Sequence, residues 1–133
     1  KKIMILDMTY NQALLKTRIV ANFTGNKSIN EVKNIYKNID YKRLEPPKSA
    51  LERAEFKSNV KKLKTDYEKV YNIIISIVDK IEQDSISISE IFSCDTLLML
   101  TKAGQLTKQN SLTINSIVSE QTYKFVSILF FNK

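Results

Sequence analysis

Eight apolar residues between positions 56 and 81 constrain this chain more than any other feature. Phe56, Val60, Leu63, Tyr67, Val70, Ile74, Ile77 and Ile81 step by 4, 3, 4, 3, 4, 3 and 4 without a fault. That rhythm is one stripe of an α-helix. It predicts a helix over about 49–83, roughly 50 Å long at about 1.5 Å per residue. Tyr71, Ile73, Ile75 and Val78 make its second half apolar almost all round. A helix of that kind must be covered on more than one side. The run Asn72–Val78, NIIISIV, is also β-branched and reads as a strand in isolation; the unbroken stepping through it selects the helix.

The same rhythm recurs on either side. Ile3, Leu6, Tyr10, Ala13, Thr17 and Val20 step by 3 and 4, which predicts a helix over about 4–23 that Gly25 ends. Leu100, Ala103, Thr107, Asn110, Ile114, Ile117, Gln121, Lys124 and Ile128 predict a last helix over about 88–130. Its seam carries Thr107, Asn110 and Gln121 where leucine is usual, which suits register control or a face left for a partner. Gly104 beside Ala103 reads as a place where two helices come close.

Three capping boxes of the form S-x-x-E mark helix starts at Ser28–Glu31, Ser49–Glu52 and Ser87–Glu90. Between the first and second long helices, residues 25–48 form a small helical appendage, closed by Pro46 and Pro47, which cannot continue a helix. The expected fold is therefore all-α: a single domain over 1–133, built as an elongated three-helix bundle with that appendage, the two long helices forming an antiparallel hairpin. With two glycines and two prolines in 133 residues, the chain is also short of the tight turns an all-β fold needs.

Composition narrows the chemistry. There is no histidine, so Ser/His and Cys/His nucleophile pairs and imidazole metal ligands are excluded. Cys94 is the only cysteine, so the chain forms no internal disulfide and no thiolate cluster; it reads as a small buried apolar residue. The carboxylates lie scattered among lysines. No catalytic, metal-ligating or cofactor-binding residue stands out, so the expectation is a protein with no cofactor and no enzymatic activity.

The charge is uneven. Residues 1–80 carry 17 Lys/Arg against 9 Asp/Glu, and residues 81–133 carry 4 against 5. Lys57, Lys61 and Lys64 share one helical face opposite the apolar stripe, either as its solvated side or as an anion-binding ridge for nucleic acid. The tail residues Phe125, Leu129, Phe130 and Phe131, with Gln109 and Gln121, are the candidate surface for a protein partner or a second copy of the chain. Asn22-Phe23-Thr24 and Asn26-Lys27-Ser28 match the glycosylation pattern but read as turn and cap residues. No apolar run is long enough to span a membrane. Lys1–Leu6 starts like an export signal that Asp7 interrupts. The location is thus the cell envelope or a pilus for a trimmed mature chain, and the cytoplasm otherwise.

Ala103, Gly104, Gln105, Leu106, Gln109, Leu112 and Gln121 carry a likeness to a known family. The run Lys102–Gln121 resembles the C-terminal helix of TraC/TrbJ-type minor pilus proteins of conjugative and type IV secretion systems. The resemblance implies an exported, non-enzymatic, adhesin-like subunit that contacts other components of the apparatus. The chain departs from that pattern in having no Trp, more basic residues and fewer glutamines. A cytoplasmic basic helical protein that binds nucleic acid in a plasmid, phage or CRISPR-type assembly is the alternative.

Overall fold

Residues 3–7 do not begin a helix. In the computed structural model they form a central β-strand, and the architecture is mixed α/β rather than an all-α bundle. The structure describes residues 1–10, 32–79, 85–102, 104, 107–119 and 125–131.

Strand β1 (Ile3–Asp7) lies between β3 (Ile39–Arg43) and β4 (Ile73–Ile77) and is parallel to both. Strand β2 (Lys33–Tyr36) pairs antiparallel with β3, so the sheet order is β2-β3-β1-β4. Helix α1 (Ala50–Tyr67) connects β3 to β4. After β4 come α2 (Ser85–Ser93), β5 (Thr96–Lys102), α3 (Lys108–Ser119) and β6 (Phe125–Phe131). β5 and β6 form a second, two-stranded parallel sheet in unbroken register from Thr96–Phe125 to Lys102–Phe131.

The long helix was half right. Phe56, Val60, Leu63 and Tyr67 are indeed the inward stripe of α1, packed with Met4, Leu6 and Met8 of the β1 segment. Ser49 caps the helix, its hydroxyl accepting from the Glu52 amide at 3.3 Å, as the capping box required. The helix then stops at Tyr67, and Ile73–Ile77 continues the apolar run as β4. That strand is apolar on its covered and its open face alike, with Ile73 and Ile75 43% exposed, so it satisfies a 3/4 template by default. β1 is likewise apolar at four of its five positions, and Leu97–Leu100 of β5 at all four although Leu98 is 55% exposed. Residues 32–43 of the expected appendage are a β-hairpin whose turn places Lys37 at φ 38°, in the left-handed region. The rest of the first expected helix and the Ser28 box lie outside the described residues.

Two faces of β1 serve different ends. Met4 and Leu6, both fully buried, face α1. Ile5 joins Ile35, Ile39 and Tyr41 on the other face, where Asp7 and Arg43 also lie by strand alternation. A third cluster (Ile91, Leu97 and Met99, with Cys94 and Ile114) joins α2 and α3 to β5. Thr107, expected on a helical seam, instead caps α3, its hydroxyl accepting from the Asn110 amide at 3.1 Å. Gly104, at φ 82°, turns the chain after β5 rather than spacing two helices.

Candidate functional site

Among the three parallel strands the spatial order β3-β1-β4 is second, first, third in the chain. The connections therefore run to opposite sides of β1, and the switch point, the crevice position of such sheets, falls at the carboxyl ends of β1 and β4. In open α/β sheets that switch point is where ligands bind. The residues there are Met8, Thr9 and Tyr10 after β1, and Val78 and Asp79 after β4.

Two hydrogen bonds bridge the crevice. The Met8 amide donates to the Ile77 carbonyl at 2.9 Å. The Tyr10 amide donates to Asp79 Oδ1, also at 2.9 Å. The Asp79 carbonyl in turn accepts from the Ser87 hydroxyl of α2. Ser87 was expected to open a helix; it sits in the first turn of α2, almost fully buried, and ties that helix to the crevice.

Beside it lies a buried ionic network. Asp7 is fully buried and Arg43 is 4% exposed. Asp7 Oδ1 accepts from Arg43 Nη1 at 3.1 Å, from the Thr9 amide at 3.1 Å and from the Thr9 hydroxyl at 2.7 Å. Asp7 Oδ2 accepts from the Tyr41 hydroxyl at 2.6 Å. Arg43 Nη1 also donates to the Asp7 carbonyl at 3.2 Å and to Thr9 Oγ1 at 3.4 Å, and Nη2 reaches the rim carboxylate Glu45 at 3.1 Å. Burial, the Asp7 hydrogen bond and the Asp7 charge together push the Tyr41 phenol far above its ordinary range. Tyr41 is thus a fixed proton donor to Asp7.

The sequence-derived candidates fall elsewhere. Lys57 lines an open groove of about 440 Å³ between α1 and α2, with Ser85, Ile88, Ser89, Phe92 and Ser93. Lys61 is exposed. Lys64 is engaged by Glu90 of α2 and lies 3.5 Å from the Ser93 hydroxyl. Gln109 is exposed on α3, its carbonyl accepting from the Thr113 hydroxyl. Phe125, Leu129, Phe130 and Phe131 are residues of β6, not of a helix end. Gln121 lies outside the described residues. Sequence reasoning missed Asp7, Arg43 and Asp79. The signal available was an acidic residue ending or following each of two short apolar runs, IMILD and IIISIVD.

The fold is mixed α/β, and solved structures are similar to this chain over nearly its whole length. A ParA family ATPase from Chlorobium tepidum is 13% identical, with a TM-score of 0.56, 97% of this chain covered and 60% of that one. The kinase domain of the Escherichia coli tyrosine kinase ETK is 16% identical, with a TM-score of 0.59 and coverages of 99% and 56%. A plasmid partition protein from Borrelia burgdorferi is 14% identical, with a TM-score of 0.51 and coverages of 97% and 65%. The chain therefore spans under two thirds of each. No family model matches it, and no curated protein matches it.

These likenesses overturn the expected helical pilus or adhesin-like subunit, since the fold they share is that of an ATPase and a kinase domain. They give the nucleic-acid-binding helical alternative no support, and the expectation of no enzymatic activity, drawn from the missing histidine and scattered carboxylates, does not stand against similar structures that are an ATPase and a kinase domain. Among the described residues no helix is long and apolar enough to cross a membrane.

The residues after β1 do not build a phosphate-binding loop in its usual form. That loop needs G-x-x-x-x-G-K-[ST] directly after a strand, with glycines letting backbone amides wrap the phosphates. After β1 the sequence runs Tyr10-Asn-Gln-Ala-Leu-Leu15-Lys16-Thr17. The Lys-Thr pair stands at the motif's spacing, while Tyr10 and Leu15 stand at its two glycine positions.

Proposed function

We propose that the chain is a P-loop-like α/β domain whose ligand site is the crevice at the carboxyl ends of β1 and β4. It takes a nucleotide-type phosphate ligand through side-chain cations rather than a glycine-built cradle. The observation that carries this is the Tyr10–Asp79 bridge: a strand-end amide at the switch point whose partner is an anionic oxygen. An amide satisfied by a carboxylate is a position suited to a phosphate oxygen as well. In the sequence, Lys16 and Thr17 stand at the spacing of the lysine and hydroxyl residue of the phosphate-loop motif.

Calorimetric titration with ADP and ATP, with and without Mg²⁺, tests this. Binding is expected, and weaker in Lys16→Ala. The same preparations, assayed for phosphate release, report whether binding leads to hydrolysis. Absence of heat with every nucleotide at millimolar concentration would remove the reading.

A further inference from the structure

Arg43 is fully engaged on one edge and half engaged on the other. Its Nη1 is saturated by the Asp7 carbonyl, Asp7 Oδ1 and Thr9 Oγ1. The opposite edge of the guanidinium presents Nε and Nη2 side by side. Nη2 meets one oxygen of Glu45 at 3.1 Å, and Nε is buried with no partner among the described residues. A buried guanidinium N–H left unmade is costly, and that edge is shaped to hold two oxygens of one anion. Glu45 fills half of it. Glu45 is also 63% exposed where Arg43 is 4% exposed, so the carboxylate belongs to the rim and the cation to the interior.

We infer that the Nε/Nη2 edge of Arg43 is an oxyanion site at the carboxyl end of β3, with Glu45 as its exchangeable occupant. The incoming group is a phosphate, free or on a nucleotide; a carboxylate is the other oxyanion of matching geometry. This rests on the crevice reading above, for which it names the element that grips the anion.

Charge decides the mode of entry. Arg43 already faces two carboxylates, Asp7 and Glu45, at 3.1 Å each. A third anion added beside both would be repelled, so the ligand must replace Glu45. Replacement exchanges one anion for another and satisfies Nε in addition. With Glu45 63% exposed, solvent screens its side of the pair and leaves it weak enough for this exchange.

The test is phosphate binding to the full chain, read as the shift of the thermal unfolding midpoint with inorganic phosphate. Acetate is the carboxylate arm, and chloride at matched ionic strength is the control. Phosphate is expected to stabilise beyond chloride, and Glu45→Ala to bind it about 2- to 5-fold tighter because the competitor is gone. Arg43→Lys, which cannot present two coplanar donors, should lose the response; if that variant does not fold, Glu45→Ala alone decides. An equal phosphate affinity in wild type and Glu45→Ala would overturn the inference, as would a phosphate effect no larger than that of chloride. A larger response to acetate than to phosphate also counts against it. ADP titration separates the two readings. Phosphate binding governed by Glu45 with no ADP binding upholds the Arg43 site and removes the nucleotide ligand. ADP binding indifferent to Glu45→Ala does the reverse.

Discussion

Asp7 and Arg43 end neighbouring parallel strands as register partners, and their side chains form an ion pair at 3.1 Å with almost no exposure to solvent. Removing one partner from such a pair leaves a buried charge uncompensated, which costs about 3–5 kcal/mol. Asp7→Asn is expected to lose stability in that range. Asp7→Leu combined with Arg43→Met is expected to lose much less than the two single changes added together, because no buried charge is stranded. Urea unfolding measures both, and additive losses would show that the pair is not coupled.

At the opposite end of the sheet, the Tyr71 hydroxyl donates to Asp40 Oδ2 at 2.7 Å. Burial, the Asp40 hydrogen bond and the Asp40 charge push this phenol up to about 12 from an ordinary value of 10. The folded state thus holds the phenol proton more tightly than the unfolded chain. That part of the stability is intact below pH 10 and disappears as pH rises from 10 to about 12. Alkaline unfolding of Tyr71→Phe should show a shallower decline across that window than wild type. Parallel curves would mean that the hydroxyl contributes nothing.

Leu6 is fully buried against α1, while Leu51 in the first turn of α1 is 88% exposed. Leu6→Ala should cost about 2–5 kcal/mol by deleting buried methyls and leaving a cavity. Leu51→Ala should stay within about 0.5 kcal/mol of wild type. A large loss at Leu51 in equilibrium unfolding would mean that something covers that position.

Cys94 packs at the edge of the Ile91–Leu97–Met99 cluster, and its thiol donates to the Ile91 carbonyl at 3.1 Å. Burial raises the thiol above its usual value. Only the thiolate reacts quickly. Labelling by a disulfide reagent at pH 8 should therefore be slower in the native protein than in urea, and equal rates would contradict the packing.

What the residues disclosed in advance was local. Ser49 and Glu52 announced the start of α1, and Phe56, Val60, Leu63 and Tyr67 announced its buried face, because capping and helical stripes are written in adjacent turns. Pro46 and Pro47 marked the break before it. Cys94 was read as packed, and it is partly so. The sheet was hidden for a physical reason. Ile73–Ile77 is apolar at four of five positions although Ile73 and Ile75 are 43% exposed, so no alternation of polar and apolar residues marks it as a strand. The crevice was hidden because Asp7, Arg43 and Asp79 are far apart in the chain and meet only through strand pairing. No spacing rule links residue 7 to residue 43.

Parallel pairing also sets the order in which the chain can be secured. Ile3 finds one register partner in Ile39, 36 positions on, and the other in Ile73, 70 positions on. Doubling a loop adds only about 0.6 kcal/mol to its closure, so both ladders are affordable at equilibrium. In time they are not equal, since distant pairings form slowly. The β2–β3 hairpin can close early, whereas β1 is clasped on its second side only after α1 has brought β4 back across it. The strand that holds the middle of the sheet is the one whose enclosure is completed late, and its amides at Met4 to Leu6 are the place where that delay can be timed by hydrogen exchange.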